Sequence, residues 1–391
     1  MAVRHGYGKV AGADALTFAY DTGDIRNSYK GEPTTNLIPS GVAFTHATGQ
    51  GNAATVEDAP EKGPGWKKVT ITARGTNFRT IQWTYLSMTA NTLYCHSIVF
   101  DWGNMRGKNY FIYFDGDGTG TRAYYRPGDY VNTGGTNIDS SMPDGKFAGT
   151  ITHTGNHAHA FFIGNYTLNQ SGLNDYFYYK EYQAEVNSHP TQYTGGTRSA
   201  TQGLLDLTGN SSIDLTNVSF DSNAQPTWDG TNDSVTAPHN SSTDITGAEI
   251  TLEAVFKPDS FGTAEAIIHK DLQYTLAFYP DGAYGEVTYA DSSLWNYGNF
   301  GFHGVFLTGN YYHIVATKKN GVVTIYSNSE IVISKSFGGS ITSTSNSLYI
   351  GSYVTSYYSD GVLPVVKLYN RALTADEVRN NYRHYKTRFN I

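Results

Sequence analysis

The stretch YYHIVATKKNGVVTIYSN, Tyr311 to Asn328, limits the fold more than any other. Two runs of alternating apolar and polar residues flank Asn320-Gly321. An Asn-Gly pair between such runs specifies a two-residue hairpin turn, because both central residues must take a positive φ. A period of two excludes a helix here. AEITLEAVFKP (248–258) repeats the pattern, with Ile250, Leu252, Ala254 and Phe256 on one face. YTLAFYPDGAYGEVTYA, SEIVISKSF, NSLYIGSY and GVLPVVKLYN follow the same rule.

The first half of the chain reads alike. WKKVTITARG, FRTIQWTYLSM, LYCHSIVFDWG, NYFIYFDGD, RAYYRPGDY, GKFAGTITHTG, HAHAFFIGNY and DYFYYKEYQAEV are short strands parted by Gly, Asn and Asp turns. That spacing predicts a sandwich or jelly roll. Residues 1–13 read as an N-terminal arm. Residues 187–197 lack apolar periodicity and read as a linker. One segment breaks the pattern. Thr374 and Glu377 form a capping box, Leu373 and Val378 the staple around it, and Val378, Tyr382 and Tyr385 one apolar face. The expected fold class is therefore all-β, with two antiparallel β-sandwich or jelly-roll domains and one short C-terminal helix.

Composition narrows the function. Of 391 residues only 16% are charged, while 14% are aromatic, 31 of them Tyr. The net charge of -7 and the lack of a basic run argue against nucleic acid as a partner, since neutralising phosphates needs clustered Lys and Arg. The single cysteine, Cys95, excludes an intrachain disulfide and reads as a small buried hydrophobe. No run is long and apolar enough for a membrane helix, so no membrane insertion is expected. The first residues, MAVRHGYGKVAGADAL, carry no apolar core of a secretory leader. An adhesin-like surface without an export signal fits a virion component assembled in a host cytoplasm. A bacterial cytoplasmic protein would also lack a leader.

The order DLTGNSSIDLTNVSF, PTWDGTNDSVTAP, ITLEAVFKPDSF, YYHIVATKKNGVVTIYSN, LYIGSY and VKLYNRALTADEVRNNYRHY resembles the concanavalin A-like lectin/glucanase superfamily, in the laminin-G-like form common in bacteriophage structural proteins. NRALTADEV is its most specific piece. The resemblance implies a two-sheet sandwich closed by a short helix. It also reaches LTFAYDTGD and NSYKGEPTTN near the start, which in such proteins run straight into DLTGN. The implied arrangement is a lectin-like domain of residues 14–42 plus 198–391, interrupted by an inserted jelly roll at 43–186 that resembles a carbohydrate-binding module.

Glucanases of that superfamily set two glutamates on one strand, as in E-x-D-x-x-E. Glu249 and Glu253 lie four apart without the intervening Asp, and Glu286 and Asp291 alternate to opposite faces. No catalytic residue is assigned, and a non-enzymatic protein is expected. No cofactor is expected, although structural calcium fits such sandwiches. The weak metal candidates are Asp115 and Asp117, where FDGDGTG starts like an EF-hand loop but meets Arg126 at its twelfth position, and the H-x-H pair His157 and His159. Asp229 and Asp233 are acidic loop residues, and Asp229 is explained by a turn.

Aromatic loops are the remaining signal. Trp295, Asn296, Tyr297, Asn299 and Phe300 crowd one loop; Tyr353, Tyr357 and Tyr358 crowd a second; Tyr124, Tyr125 and Tyr130 fall in the insert. Sugars offer apolar C–H faces and hydroxyls to such residues, but Tyr and Trp also favour protein interfaces. The expected protein is a virion structural component displayed on the particle surface, as capsid decoration or a head or tail fibre. Its expected partners are other virion proteins, further copies of itself in a homo-oligomer, and a cell-surface glycan held weakly through many copies. A dedicated receptor-binding adhesin is the alternative, and a glycan hydrolase a more distant one.

Overall fold

Asn320 and Gly321 form the turn their sequence specifies. Their φ angles are +48° and +78°, and Lys319 pairs with Val322 across them. The computed structural model describes residues 4–5, 8–9, 12–38, 53–73, 79–82, 86–108, 110–116, 138–139, 144–152, 157–165, 173–221, 225–260, 264–281, 284–293, 300–303, 306–336 and 339–391. Most of these are strands, paired antiparallel throughout, so the fold is all-β. The chain divides into two units, Met1–Pro33 with Ser199–Ile391, and Thr34–Arg198.

In the first unit, one sheet runs in the order Ser219–Phe220, Pro226–Asp229, Asp360–Tyr369, Glu249–Pro258, Tyr312–Lys319, Val322–Ser327, Glu330–Ser336. Leu16–Asp21 joins it by pairing with Val365–Tyr369. The second sheet runs Val235–Ala237, Leu348–Ile350, Glu265–Lys270, Tyr274–Asp281, Tyr284–Asp291, Phe300–His303. Alternation sends Ile250, Leu252, Ala254 and Phe256 from one sheet to meet Ile268, Leu276, Phe278 and Ile350 from the other. Each buried Ile, Leu or Phe among them contributes roughly 1.5–3 kcal/mol of transfer free energy.

The helix forms at Ala375–Phe389. Thr374 Oγ1 accepts the Glu377 N–H, and Glu377 Oε2 accepts the Thr374 N–H at 2.9 Å. Leu373 and Val378 pack with Tyr369 and Val315, so the helix covers the outer face of the first sheet. A second, four-residue helix at Ala200–Gly203, capped by Ser199 and Gln202, lies outside the sequence expectation.

Among the described residues, the 34–198 unit holds two five-stranded sheets and a two-strand ladder. One runs Gly145–Thr152, Leu93–Asp101, Tyr176–Val186, Lys67–Ala73, Ala53–Asp58; the other holds Ile138–Asp139, Tyr110–Gly116, His157–Asn165 and Arg79–Gln82, with Leu86–Met88 also on His157–Asn165. The described parts of FRTIQWTYLSM, Arg79–Gln82 and Leu86–Met88, are both laid along the same partner. RAYYRPGDY lies outside the described residues. The core centres on Phe100, stacked on Phe177 at 4.8 Å and edge-on to Trp102 at 4.9 Å. Cys95 is buried.

Residues 187–197 are packed rather than loose. Glu185 accepts from the Thr191 N–H at 2.9 Å, from Gln183 Nε2 at 2.8 Å, and from the Thr191 and Thr34 hydroxyls at 2.7 Å. Thr34–Thr35 pairs with Thr197–Arg198, so this unit is closed at its neck by a two-strand ladder. In the arm, Arg4–His5 pairs with Gly8–Lys9.

Candidate functional site

The outer face of the six-stranded sheet has an unusual floor. Tyr349, His269, Thr275 and Ala290 lie in one row across four strands. Ala277 and Thr288 lie in the next row on the same face. These side chains alternate with the core residues Leu276, Phe278, Val287 and Tyr289, so they point away from the core. The floor is small and polar, and His269 stands at its centre.

Tyr353 closes over that histidine. The rings are stacked with centroids 3.6 Å apart and planes 25° apart, and Tyr357 meets Tyr353 edge-on at 5.9 Å. His269 Nδ1 is bonded to Thr275 Oγ1 at 2.8 Å. Its Nε2 has no hydrogen-bond partner among the described residues and faces Asp271 Oδ1 at 4.0 Å. Burial pushes the imidazole pKa down to about 3, so it is neutral at ordinary pH. Burial raises the Tyr353 phenol, and the Asp271 charge adds to the effect.

The loop carrying these tyrosines is held in an unusual conformation. Val354 has φ +56° and Tyr357 φ +50°. A β-branched residue rarely enters the left-handed region, and such strain gathers at functional sites. Tyr353 and Ser356 exchange backbone bonds of 2.8 and 3.1 Å across the tight turn. Ala266 N–H bonds Tyr357 O at 3.0 Å, Asp360 N–H bonds Glu265 Oε2 at 3.2 Å, and Gly351 N–H bonds Ile267 O at 3.2 Å. Both ends of the loop are therefore fixed to the strand that bears His269. Tyr353 and Tyr358 are half-buried and Tyr357 is exposed.

Of the residues predicted from sequence, Tyr353 and Tyr357 are brought together here, and Tyr358 follows in the same loop. Trp295, Asn296, Tyr297, Asn299, Tyr124, Tyr125, Tyr130 and Asp117 lie outside the described residues. Phe300 begins the edge strand Phe300–His303. Asp115 is in the strand Tyr110–Gly116, and His157 and His159 are in His157–Asn165, where Gly116 pairs with His159. Among the described residues no three His, Cys, Asp or Glu side chains stand as a metal-binding group. Asp229 and Asp233 serve the turn between two strands, Asp233 Oδ2 accepting the Asp229 N–H at 3.0 Å.

Two of the four carboxylates weighed for hydrolysis lie in buried ion pairs. Glu253 is fully buried and bonded to His313 at 2.9 Å and Tyr369 at 2.8 Å. Asp291 is fully buried against Lys318 Nζ at 2.7 Å. His269, Thr275, Asp271 and Tyr349 were missed. IIHKDLQYTL alternates like any strand, and only the return of the 351–358 loop marks His269 out.

The sequence matches no curated protein. Among solved structures, domain 4 of the extracellular arabinanase AbnA from Geobacillus stearothermophilus, in complex with arabinotriose, is 16% identical, with 47% of this chain and 93% of that chain covered and a TM-score of 0.37. The binding domain of Paraclostridial Mosquitocidal Protein 1 is also 16% identical, covering 46% of this chain and 49% of that one, with a TM-score of 0.38. The Ruminococcus gnavus IT-sialidase CBM40 bound to α2,3-sialyllactose is 12% identical, covering 34% and 82%, with a TM-score of 0.29. Residues 229–379 match the family model described as the Concanavalin A-like lectin/glucanases superfamily, so a laminin-G-like domain of that superfamily is found in this chain.

Proposed function

We propose that the protein is a non-enzymatic carbohydrate-binding protein, and that the face around Tyr353, Tyr357 and His269 receives the sugar. The observation that carries this reading is the Tyr353–His269 stack with Tyr357 exposed beside it. A ring fixed by stacking presents an apolar plane without losing further rotamer freedom on binding. Asp271, partly exposed, supplies a polar group at its rim. The match to a lectin/glucanase superfamily supports the same class of ligand. The use of Glu253 and Asp291 in buried ion pairs supports binding rather than hydrolysis.

On the resemblance to phage structural proteins, this reading extends to a protein on a virion surface, where many copies turn weak contacts into attachment. Other virion proteins and further copies of this chain would be its partners. A glycan array on the folded protein, with and without a chelator, tests the binding. Reproducible signal that falls at least tenfold in Tyr357→Ala supports it, and loss on chelation would add a cation to the site. Silence from a folded protein would overturn it.

A further inference from the structure

The outer face of the sheet that holds Lys67–Ala73 and Tyr176–Val186 carries a second organised surface. Glu57 pairs with Lys68, Lys68 with Tyr178, and Tyr178 with Asp101, so these four stand side by side across four strands. Cross-strand partners share a face. The intervening Val56, Val69, Phe177 and Phe100 turn into the core. Tyr176, two residues before Tyr178, stands on the same face with its ring 5.5 Å away at 77°. Trp66 comes alongside from the turn that precedes Lys67–Ala73. Lys62 Nζ lies 5.2 Å from the Tyr178 ring and 5.6 Å from the Trp66 ring. Lys68 Nζ lies 4.6 Å from the Tyr176 ring, and Lys180 Nζ 5.5 Å from the Trp66 ring. None of these side chains is buried.

The surface is set in place at both ends. Asn104 Oδ1 accepts the Tyr176 N–H at 2.6 Å, and Asn104 Nδ2 donates to Asn174 O at 3.3 Å. At the far end the pairing shifts between Lys180 and Gln183, with Glu181 at φ +53°. Such a bulge bends the strand and re-aims its side chains. The charges also alternate. Lys62 pairs with Asp101, Lys68 with Glu57 at 3.8 Å, and Lys180 with Glu181 at 2.9 Å. Each ammonium is matched by a carboxylate, and Glu61 beside Tyr178 adds a fourth acid to the three lysines, so the face offers no surplus to an anion.

We propose that this face binds an uncharged oligosaccharide. Tyr176, Tyr178 and Trp66 would meet the C–H faces of the sugar, and Lys62, Lys68 and Asp101 its hydroxyls. The argument is complementarity of charge and hydrogen bonding. A hydroxyl both donates and accepts, as do the paired lysines and carboxylates taken together. An acidic ligand would face Glu57, Glu61, Asp101 and Glu181 at once. The lysine stems are flexible, and a contact between an exposed ammonium and a ring is weak enough to exchange for one to a hydroxyl. The site uses other residues on another unit, and it stands if the Tyr353 face binds nothing.

Affinity electrophoresis of the full chain tests it, in gels cast with xylan, β-glucan or galactomannan, and with polygalacturonate as the charged counterpart. At least one neutral polymer should retard the protein. Retardation should weaken at least tenfold in Tyr178→Ala and in Trp66→Ala, and persist in Tyr178→Phe. Near-ultraviolet dichroism checks each fold, and Trp66→Ala decides if Tyr178→Ala does not fold. Retardation by polygalacturonate alone, by no neutral polymer, or with equal strength in both alanine variants would overturn the proposal. Loss confined to Tyr357→Ala would assign the binding to the other unit and overturn it as well.

Discussion

Asn381 Nδ2 donates to Glu253 Oε2 at 2.9 Å, tying the C-terminal helix to the strand Glu249–Pro258. The same carboxylate accepts from the Tyr369 hydroxyl at 2.8 Å, and its other oxygen meets His313 Nε2 at 2.9 Å and Lys367 Nζ at 3.4 Å. All five side chains are buried. Burial works to raise the Glu253 pKa, but Lys367 and His313 outweigh it and hold the carboxyl well below its ordinary range. The helix is therefore anchored by a charge network as well as by its apolar stripe.

Removing the charge should be costly. Glu253→Gln leaves Lys367 buried without its counter-ion, and such losses run to roughly 3–5 kcal/mol. Asn381→Ala removes one neutral partner and should cost about 1–3 kcal/mol. Urea denaturation of both variants checks the order. A cost for Glu253→Gln below that for Asn381→Ala would show that the ion network contributes little.

Stability should fall as pH rises from about 4.5 to about 8. Glu265 is buried behind the 351–360 loop, and burial pushes its carboxyl up to about 8 from an ordinary 4.5. The Asp360 N–H opposes this, while the Asp360 and Asp259 charges add to it. The folded chain thus holds a proton that the unfolded chain releases. The contribution is intact below 4.5 and is lost as pH climbs through the folded value, by an amount on the order of a few kcal/mol. Melting temperatures of Glu265→Gln and the parent, taken from pH 5 to pH 9, should diverge upward in favour of the variant. Parallel curves would rule the effect out.

Gly351→Ala should destabilise the protein by about 2–4 kcal/mol. Gly351 has φ +79°, and an added Cβ would come within 2.1 Å of Trp228 Nε1, whose ring is locked in the core. A melting point within a degree or two of the parent would mean that the Trp228 ring has room to move.

Val354→Asn should stabilise the folded state by up to about 1 kcal/mol, because asparagine tolerates the left-handed region that valine resists. If Val354 is retained for function, the same change should loosen Tyr353 and weaken glycan binding. Denaturation and the glycan array together check the trade. A loss of stability would show that the Val354 side chain packs better than its backbone suggests.

Local chemistry was legible in the sequence, and non-local chemistry was not. Thr374, Glu377, Leu373 and Val378 act within a single turn, so the helix start could be read from spacing alone. Asn320-Gly321 was legible for the same reason. Tyr353 and Tyr357 stood out by composition, but His269 did not. Its partner across the strand is Tyr349, and its lid returns from beyond that strand, so nothing near position 269 signals either. Trp66, Tyr176 and Tyr178 were hidden likewise. They meet only because Lys67–Ala73 pairs with a strand more than a hundred residues on. Nothing in the sequence marks Asn381 as an anchor, since its buried acceptor is supplied by another strand.

The pairing of Leu16–Asp21 with Val365–Tyr369 bears on the order in which a ribosome could deliver this molecule. The 34–198 unit is continuous in sequence, so all its strands emerge together and can close early. The other unit cannot. Its first strand leaves the exit tunnel long before its partner is made, and must wait with its backbone groups open while most of the chain is translated. Long-range β pairing is slow and exposes edges that associate wrongly. The residue that ends that wait is Tyr369, and the helix that follows it covers the finished sheet.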